Sequence, residues 1–139
     1  MKIVYATLTN QVTTFLKKYK EVHEIETIEI DPSKEIGIID DKFILLLPSY
    51  EEFPFYDEVD DILLDNLENC MGIIGTGNIN YDKLYMVTAK IVSKKYKLPL
   101  LYGFEFAGND RDIKLVNQII SDLEKYGKVV PTEETEKWH

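Results

Sequence analysis

Phe43-Ile44-Leu45-Leu46-Leu47, closed by Pro48, is an apolar run with no polar interruption. A strand with one face in water alternates apolar and polar residues; an unbroken run belongs to a strand covered on both faces, as in a parallel sheet. The same character recurs at residues 2–6 (Lys-Ile-Val-Tyr-Ala), 71–75 (Met-Gly-Ile-Ile-Gly) and 98–102 (Leu-Pro-Leu-Leu-Tyr). Residues 25–30 alternate instead, with Ile28 and Ile30 on one side and Glu29 on the other, which suits an edge strand. Helical stretches separate the runs, at 12–20, about 57–69, 83–97 and 109–126. The third places Leu84, Val87 and Ile91 on one face; the fourth sets Ile113, Val116, Ile120 and Leu123 in register and stops at Gly127. Apolar strands alternating with helices predict an α/β fold, a doubly wound five-stranded parallel sheet of order 2-1-3-4-5. The connection over residues 31–42 leaves room for a short extra strand from Ile36 to Ile39, turning at Asp40-Asp41.

The chain has 139 residues and no repeat or Pro/Gly-rich linker, so a single domain over 1–130 with a polar tail at 131–139 is expected. With 45% hydrophobic and 29% charged residues the composition is that of a globular chain rather than a disordered one. No run is long and apolar enough for a membrane span, and no signal pattern opens the chain. One cysteine, Cys70, excludes an internal disulfide and a Cys-cluster metal site. A soluble cytoplasmic protein is expected. Sixteen Lys+Arg against 25 Asp+Glu leave a formal net charge of −9, which argues against a nucleic-acid partner. Between Lys42 and Lys83 there is no cation, but Glu51, Glu52, Asp57, Glu58, Asp60, Asp61, Asp65, Glu68 and Asp82 all fall there. The whole imbalance therefore sits on residues 43–82, either as a solvated helix face or as a surface that sets the potential of something bound nearby.

In a sheet of this order ligands bind beyond the carboxyl ends of the strands, where the order reverses between strands one and three. After the first strand, Thr7-Leu8-Thr9-Asn10-Gln11-Val12-Thr13-Thr14 leads into a helix with hydroxyls, amides and no charge. A helix N-terminus with hydroxyl donors suits a phosphate, although taken alone the loop reads better as a plain N-cap by Thr9 or Asn10. The loop lacks the Gly-Lys-Ser/Thr of a Walker motif and the glycines of a dinucleotide fingerprint. After the third strand, Pro48 to Tyr56 carries Tyr50, Phe53, Phe55 and Tyr56. After the fourth, Gly75-Thr76-Gly77-Asn78-Ile79-Asn80-Tyr81 supplies glycines, asparagines and another aromatic. One phosphate cradle and two aromatic-bearing walls at one sheet edge suit a mononucleotide flavin.

At these residues the chain resembles the NrdI family, flavodoxin-like accessory proteins of class Ib ribonucleotide reductase. Gly75-Thr76-Gly77-Asn78-Ile79-Asn80-Tyr81 is similar to the family's G-S-G-N-x-N-F loop. Leu98-Pro99-Leu100-Leu101-Tyr102-Gly103-Phe104-Glu105-Phe106-Ala107-Gly108-Asn109 resembles its V-P-x-L-Y-x-F-E-L-x-G-T segment. Pro48-Ser49-Tyr50 matches P-T-Y, and the stretch from Thr7 to Phe15 resembles S-x-T-G-N-x-x-R-F. The resemblance covers roughly residues 2–125. It implies a flavodoxin-like fold and noncovalently bound FMN. It also implies a reduced flavin that reacts with oxygen, supplying superoxide to assemble the dimanganese–tyrosyl radical cofactor of the reductase small subunit. That subunit and a flavin reductant are the implied partners. The chain departs from the pattern at Asn10-Gln11, where the family has Gly-Asn, at Thr14, where it has Arg, and at Glu51-Glu52, where relatives often carry small residues or glycine.

On this reading Thr7, Thr9, Asn10, Gln11, Val12 and Thr13 hold the phosphate through N–H and O–H donors. Tyr50 and Tyr81 stack on the ring. The backbone from Ser49 to Glu51 and from Gly77 through Asn78 to Asn80 meets its polar edge, although Thr76 and Asn78 also read as plain turn residues. No catalytic acid, base or metal ligand is expected: the flavin performs the electron chemistry and the protein tunes it. His23 is placed in the edge strand and Cys70 beside the fourth strand as packing. An ordinary electron-transfer flavodoxin and a flavin-free interaction domain of the same topology remain the alternatives. A phospho-receiver is disfavoured because Thr7, Ser49 and Gly103 stand where it needs acids and a lysine.

Overall fold

The computed structural model describes residues 1–50, 52–78 and 86–133. Five parallel strands, β1 (Lys2–Tyr5), β2 (Glu26–Glu29), β3 (Phe43–Pro48), β4 (Cys70–Gly77) and β5 (Leu100–Glu105), form one sheet of order β2-β1-β3-β4-β5. Four helices cover it: α1 (Asn10–Val22), α2 (Tyr56–Asn66), α3 (Val87–Tyr96) and α4 (Asp110–Tyr126). The continuous apolar run of β3 is explained by its central place. Ile44 and Leu46 pack into the layer under α1 and α4, whereas Phe43, Leu45 and Leu47 pack under α2 and α3. Every residue of β3 is buried. β2 pairs with β1 alone and stays partly exposed, as its alternating pattern requires.

The helix signals hold best where capping chemistry is strong. Asn109 and Asp112 form a reciprocal capping box at the start of α4, and Gly127 ends the helix in the left-handed region at φ +71. Its apolar register buries Ile113, Val116, Ile120 and Leu123 as expected. In α3 the buried face is Thr88, Ala89 and Val92, whereas Ile91 is exposed and Leu84 lies outside the described residues. The cause lies in the sheet: Gly75 has no side chain, and Met86 and Ala89 occupy the space that a Cβ there would take.

The fifth strand is displaced from the predicted 98–102. Leu98 and Pro99 close the turn after α3, with the Leu98 N–H donating to Ser93 O and the Ser93 hydroxyl donating to Leu98 O. The ladder then runs on to Glu105. α2 ends at Asn66, and a 3-10 turn covers Leu67–Asn69. His23 caps the C-terminus of α1 rather than standing in the edge strand. No extra strand forms from Ile36 to Ile39. Instead the buried Asn66 side chain accepts from the Ile39 N–H (2.7 Å) and donates to Gly37 O (2.9 Å), doing for that segment what a neighbouring strand would have done. Cys70 opens β4 and is buried, and burial pushes its thiol up to about 11.

Candidate functional site

The carboxyl ends of β1, β3, β4 and β5 lie side by side, and the strand order reverses at β1 and β3. Past β1 the Ala6 N–H still donates to Leu46 O, which fixes the departure of the loop. Thr9 then caps α1 by accepting from the Gln11 N–H at 3.4 Å. The hydroxyls of Thr7 and Thr13 donate to the carbonyls of Thr9 and Asn10. Both therefore serve the loop itself, and the Val12 side chain is core. The Gln11 N–H being engaged by Thr9, the anion-binding capacity of this helix end rests on the first-turn N–H groups of Asn10 and Val12, which have no carbonyl one turn back. No cation stands in the loop.

Past β3 the four aromatics divide. Phe53 is buried and meets Phe55 and Tyr56 edge to face, at 5.7 and 4.9 Å between ring centroids, anchoring the start of α2. Only Tyr50 remains for a ligand. Ser49 beside it carries a buried hydroxyl oxygen with no hydrogen-bond partner among the described residues. Past β4, Thr76 is fully buried and its hydroxyl donates to Phe106 O at 2.6 Å, so it ties two strand ends together rather than merely shaping a turn. Of the expected site residues, Glu51, Asn80 and Tyr81 lie outside the described residues.

These ends enclose a cavity of about 290 Å³. Gln11, Ser49, Tyr50, Gly77 and Asn78 line it together with Pro48, Thr76 and Phe106. The volume is at the small end of the roughly 300–1,000 Å³ usual for ligand pockets. Thr7, Thr9, Asn10, Val12 and Thr13 do not line it; Gln11 alone connects the cavity to the first turn of α1. Phe106 was not legible as a site residue, because a strand ending at Tyr102 puts it several residues past the sheet edge. With β5 running to Glu105 it is the first residue beyond. Its aromatic character just before Gly108 was the available signal.

A larger cavity, about 460 Å³, lies between residues 30–37 and α2. Asp31, Glu35, Glu58, Asp61 and Asp65 line it against the single cation Lys34, so a phosphate would be repelled there. Of these two, the smaller cavity has the lining that fits a flavin nucleotide: Gln11 at a helix start, a serine hydroxyl with no partner among the described residues and two aromatics, with no charged side chain among them. Among the described residues no group of His, Cys, Asp or Glu could hold a metal ion, and no helix is long and apolar enough to cross a membrane.

Comparison with known proteins agrees with this geometry. The profile of a family described as "NrdI Flavodoxin like" matches residues 3–118. A protein named NrdI from Wigglesworthia glossinidia brevipalpis is 37% identical over 95 residues, covering 59% of this chain and 67% of its own. One of the same name from Mycoplasma pneumoniae is 27% identical over 134 residues, covering 91% and 84%. Among solved structures, a metal-soaked flavodiiron core from Synechocystis superposes with a TM-score of 0.52 at 14% identity. The match spans 82% of this chain and 32% of that longer one, a likeness of fold. With sheet order, cavity position and sequence in accord, this chain belongs to the NrdI flavodoxin-like family.

Proposed function

We propose that this chain binds FMN in the cavity at the ends of β1, β3 and β4 and serves, in the cytoplasm, as the activator of a class Ib ribonucleotide reductase small subunit. Bound and reduced, FMN would supply superoxide from oxygen for assembly of that subunit's dimanganese–tyrosyl radical cofactor. The protein's share is to bind, orient and shield. First-turn N–H groups of α1 receive the phosphate, with Thr7, Thr9 and Thr13 holding the loop in shape. Gln11, Ser49 and Asn78 offer polar groups to the ring edge, and Tyr50 offers an apolar face. Glu51, Gly77, Asn80 and Tyr81 complete the expected contact set.

The observation that carries this reading is the Ser49 hydroxyl, buried and without a partner among the described residues, in a residue that lines a cavity at the switch point of the sheet. A buried polar group without a partner costs about 1–3 kcal/mol, and a ligand acceptor or donor there would recover it. The test is direct. Purified protein is expected to show flavin absorbance and to release FMN on denaturation, and the apo-protein to rebind FMN at micromolar concentration or below. Reduced protein in air, mixed with the manganese-loaded small subunit, is expected to raise the tyrosyl-radical yield, and superoxide dismutase to lower it. Flavin binding with no superoxide release would make it an ordinary electron carrier; refusal of FMN would end the proposal.

A further inference from the structure

Phe106 follows β5 directly and holds φ +53, a left-handed backbone that a bulky L-residue avoids. Two hydrogen bonds keep it there. Its N–H donates to Gly77 O at 3.0 Å, and its carbonyl accepts from the buried Thr76 hydroxyl at 2.6 Å. Both partners belong to the last two residues of β4, which line the cavity together with Asn78. The residue is nonetheless 44% exposed, and it lines the cavity with Tyr50.

Packing among the described residues does not account for this placement. Phe104, two residues earlier, fills the core role: it is 2% exposed and stacks on Phe15 at 4.4 Å. A glycine at 106 would form the same two backbone hydrogen bonds without the steric penalty, and would leave no apolar ring in water. A strained, exposed aromatic latched on both sides of its peptide to the neighbouring strand is arranged for a ligand. We infer that Phe106 contacts the isoalloxazine ring of the flavin directly, as an aromatic wall facing the same cavity as Tyr50, and that Thr76 is the positioning residue that sets it. The inference rests on the flavin-binding reading above.

The test uses apo-protein titrated with FMN and, separately, with riboflavin, followed by quenching of flavin fluorescence, together with thermal melts of the same apo-proteins. Phe106→Gly is expected to weaken both flavins by about the same factor, roughly tenfold, as for loss of one aromatic contact. Its apo melting midpoint is expected to be unchanged or higher, because the backbone strain is relieved. Phe106→Leu, which keeps apolar bulk, should weaken both flavins by a smaller factor and carries the comparison if the glycine variant does not fold. Thr76→Val should weaken FMN binding in the presence of Phe106 and add little to Phe106→Gly, the coupling expected of a residue that acts through another. Wild-type protein that binds FMN while both Phe106 variants bind it equally tightly would overturn the inference and leave the flavin reading standing. A loss confined to FMN and absent for riboflavin would overturn it too, since that is a phosphate effect. Wild-type protein that binds neither flavin would remove the flavin reading and this inference with it.

Discussion

Gly72 shows how much one residue carries in this sheet. The register between β3 and β4 shifts at Phe43/Ile44, and Gly72 absorbs the shift at φ +149. A Cβ there would come within 2.7 Å of Leu101 Cγ and 2.8 Å of Pro99 O, the carbonyl that accepts the Ile73 N–H. Backbone strain and overpacking therefore add, and Gly72→Ala is expected to destabilise the protein by about 2–4 kcal/mol in chemical denaturation. A loss below about 1 kcal/mol would mean that the start of β5 relaxes freely. Gly75 and the buried Asn66 are equally local and were equally illegible. Nothing in Met-Gly-Ile-Ile-Gly says which glycine bends a strand and which admits a helix.

At the scale of elements, α2 and α3 are joined through Asp60. Its carboxylate accepts from the Tyr96 hydroxyl and pairs with Lys95 Nζ at 3.0 Å. The Tyr96 hydroxyl first, then Lys95, holds the Asp60 carboxyl below its ordinary range, and burial together with Asp60 pushes the Tyr96 hydroxyl up to about 12. A depressed folded carboxyl contributes stability that is present above the unfolded value near 4 and is lost as pH falls through the folded value. Asp60→Asn is therefore expected to cost under about 1 kcal/mol at pH 7, because the pair is part-exposed, and to flatten the acid limb of the stability curve. Stability curves of the two proteins that stay parallel down to pH 2 would refute this. The same scale explains the uneven fate of the sequence patterns. α4 carries its own caps and a strong apolar stripe, so its bounds were readable. α3 takes its buried face from Gly75 on another element, and β5 takes its limits from its pairing with β4.

For the whole molecule the uneven charge matters most. The excess of acid falls on residues 43–82, which hold two of the loops assigned to the flavin. Adding electrons to a bound flavin beside fixed carboxylates costs about 2–4 kcal/mol per pair at 4–8 Å and an effective dielectric near 20, before solvent screening reduces it. Glu52 is exposed, so that reduction is substantial. Replacing Glu51 and Glu52 together by Gln is expected to raise the potential of the last reduction step in a spectroelectrochemical titration, and an unchanged potential would show that the acids act elsewhere. On the proposed function, the same surface should favour a basic patch on the proposed partner, the reductase small subunit, giving association measured by titration that weakens as salt rises.

Hydrophobic periodicity is written along the chain, so fold class and strand order followed from residue order, and with them the edge proposed here for the ligand: each strand's burial is recorded in whether its apolar run is broken. Membership of a family was likewise carried by short motifs. Which side chains reach the cavity was decided in three dimensions. Tyr50 turns to it while Phe53, Phe55 and Tyr56 go to packing, and Phe106 enters it because β5 runs three residues further than its own pattern implied. The reason is physical. A residue at the end of a strand is placed by hydrogen bonds and close contacts with segments some 30 residues away, such as Thr76 with Phe106, and those terms have no signature in the local sequence.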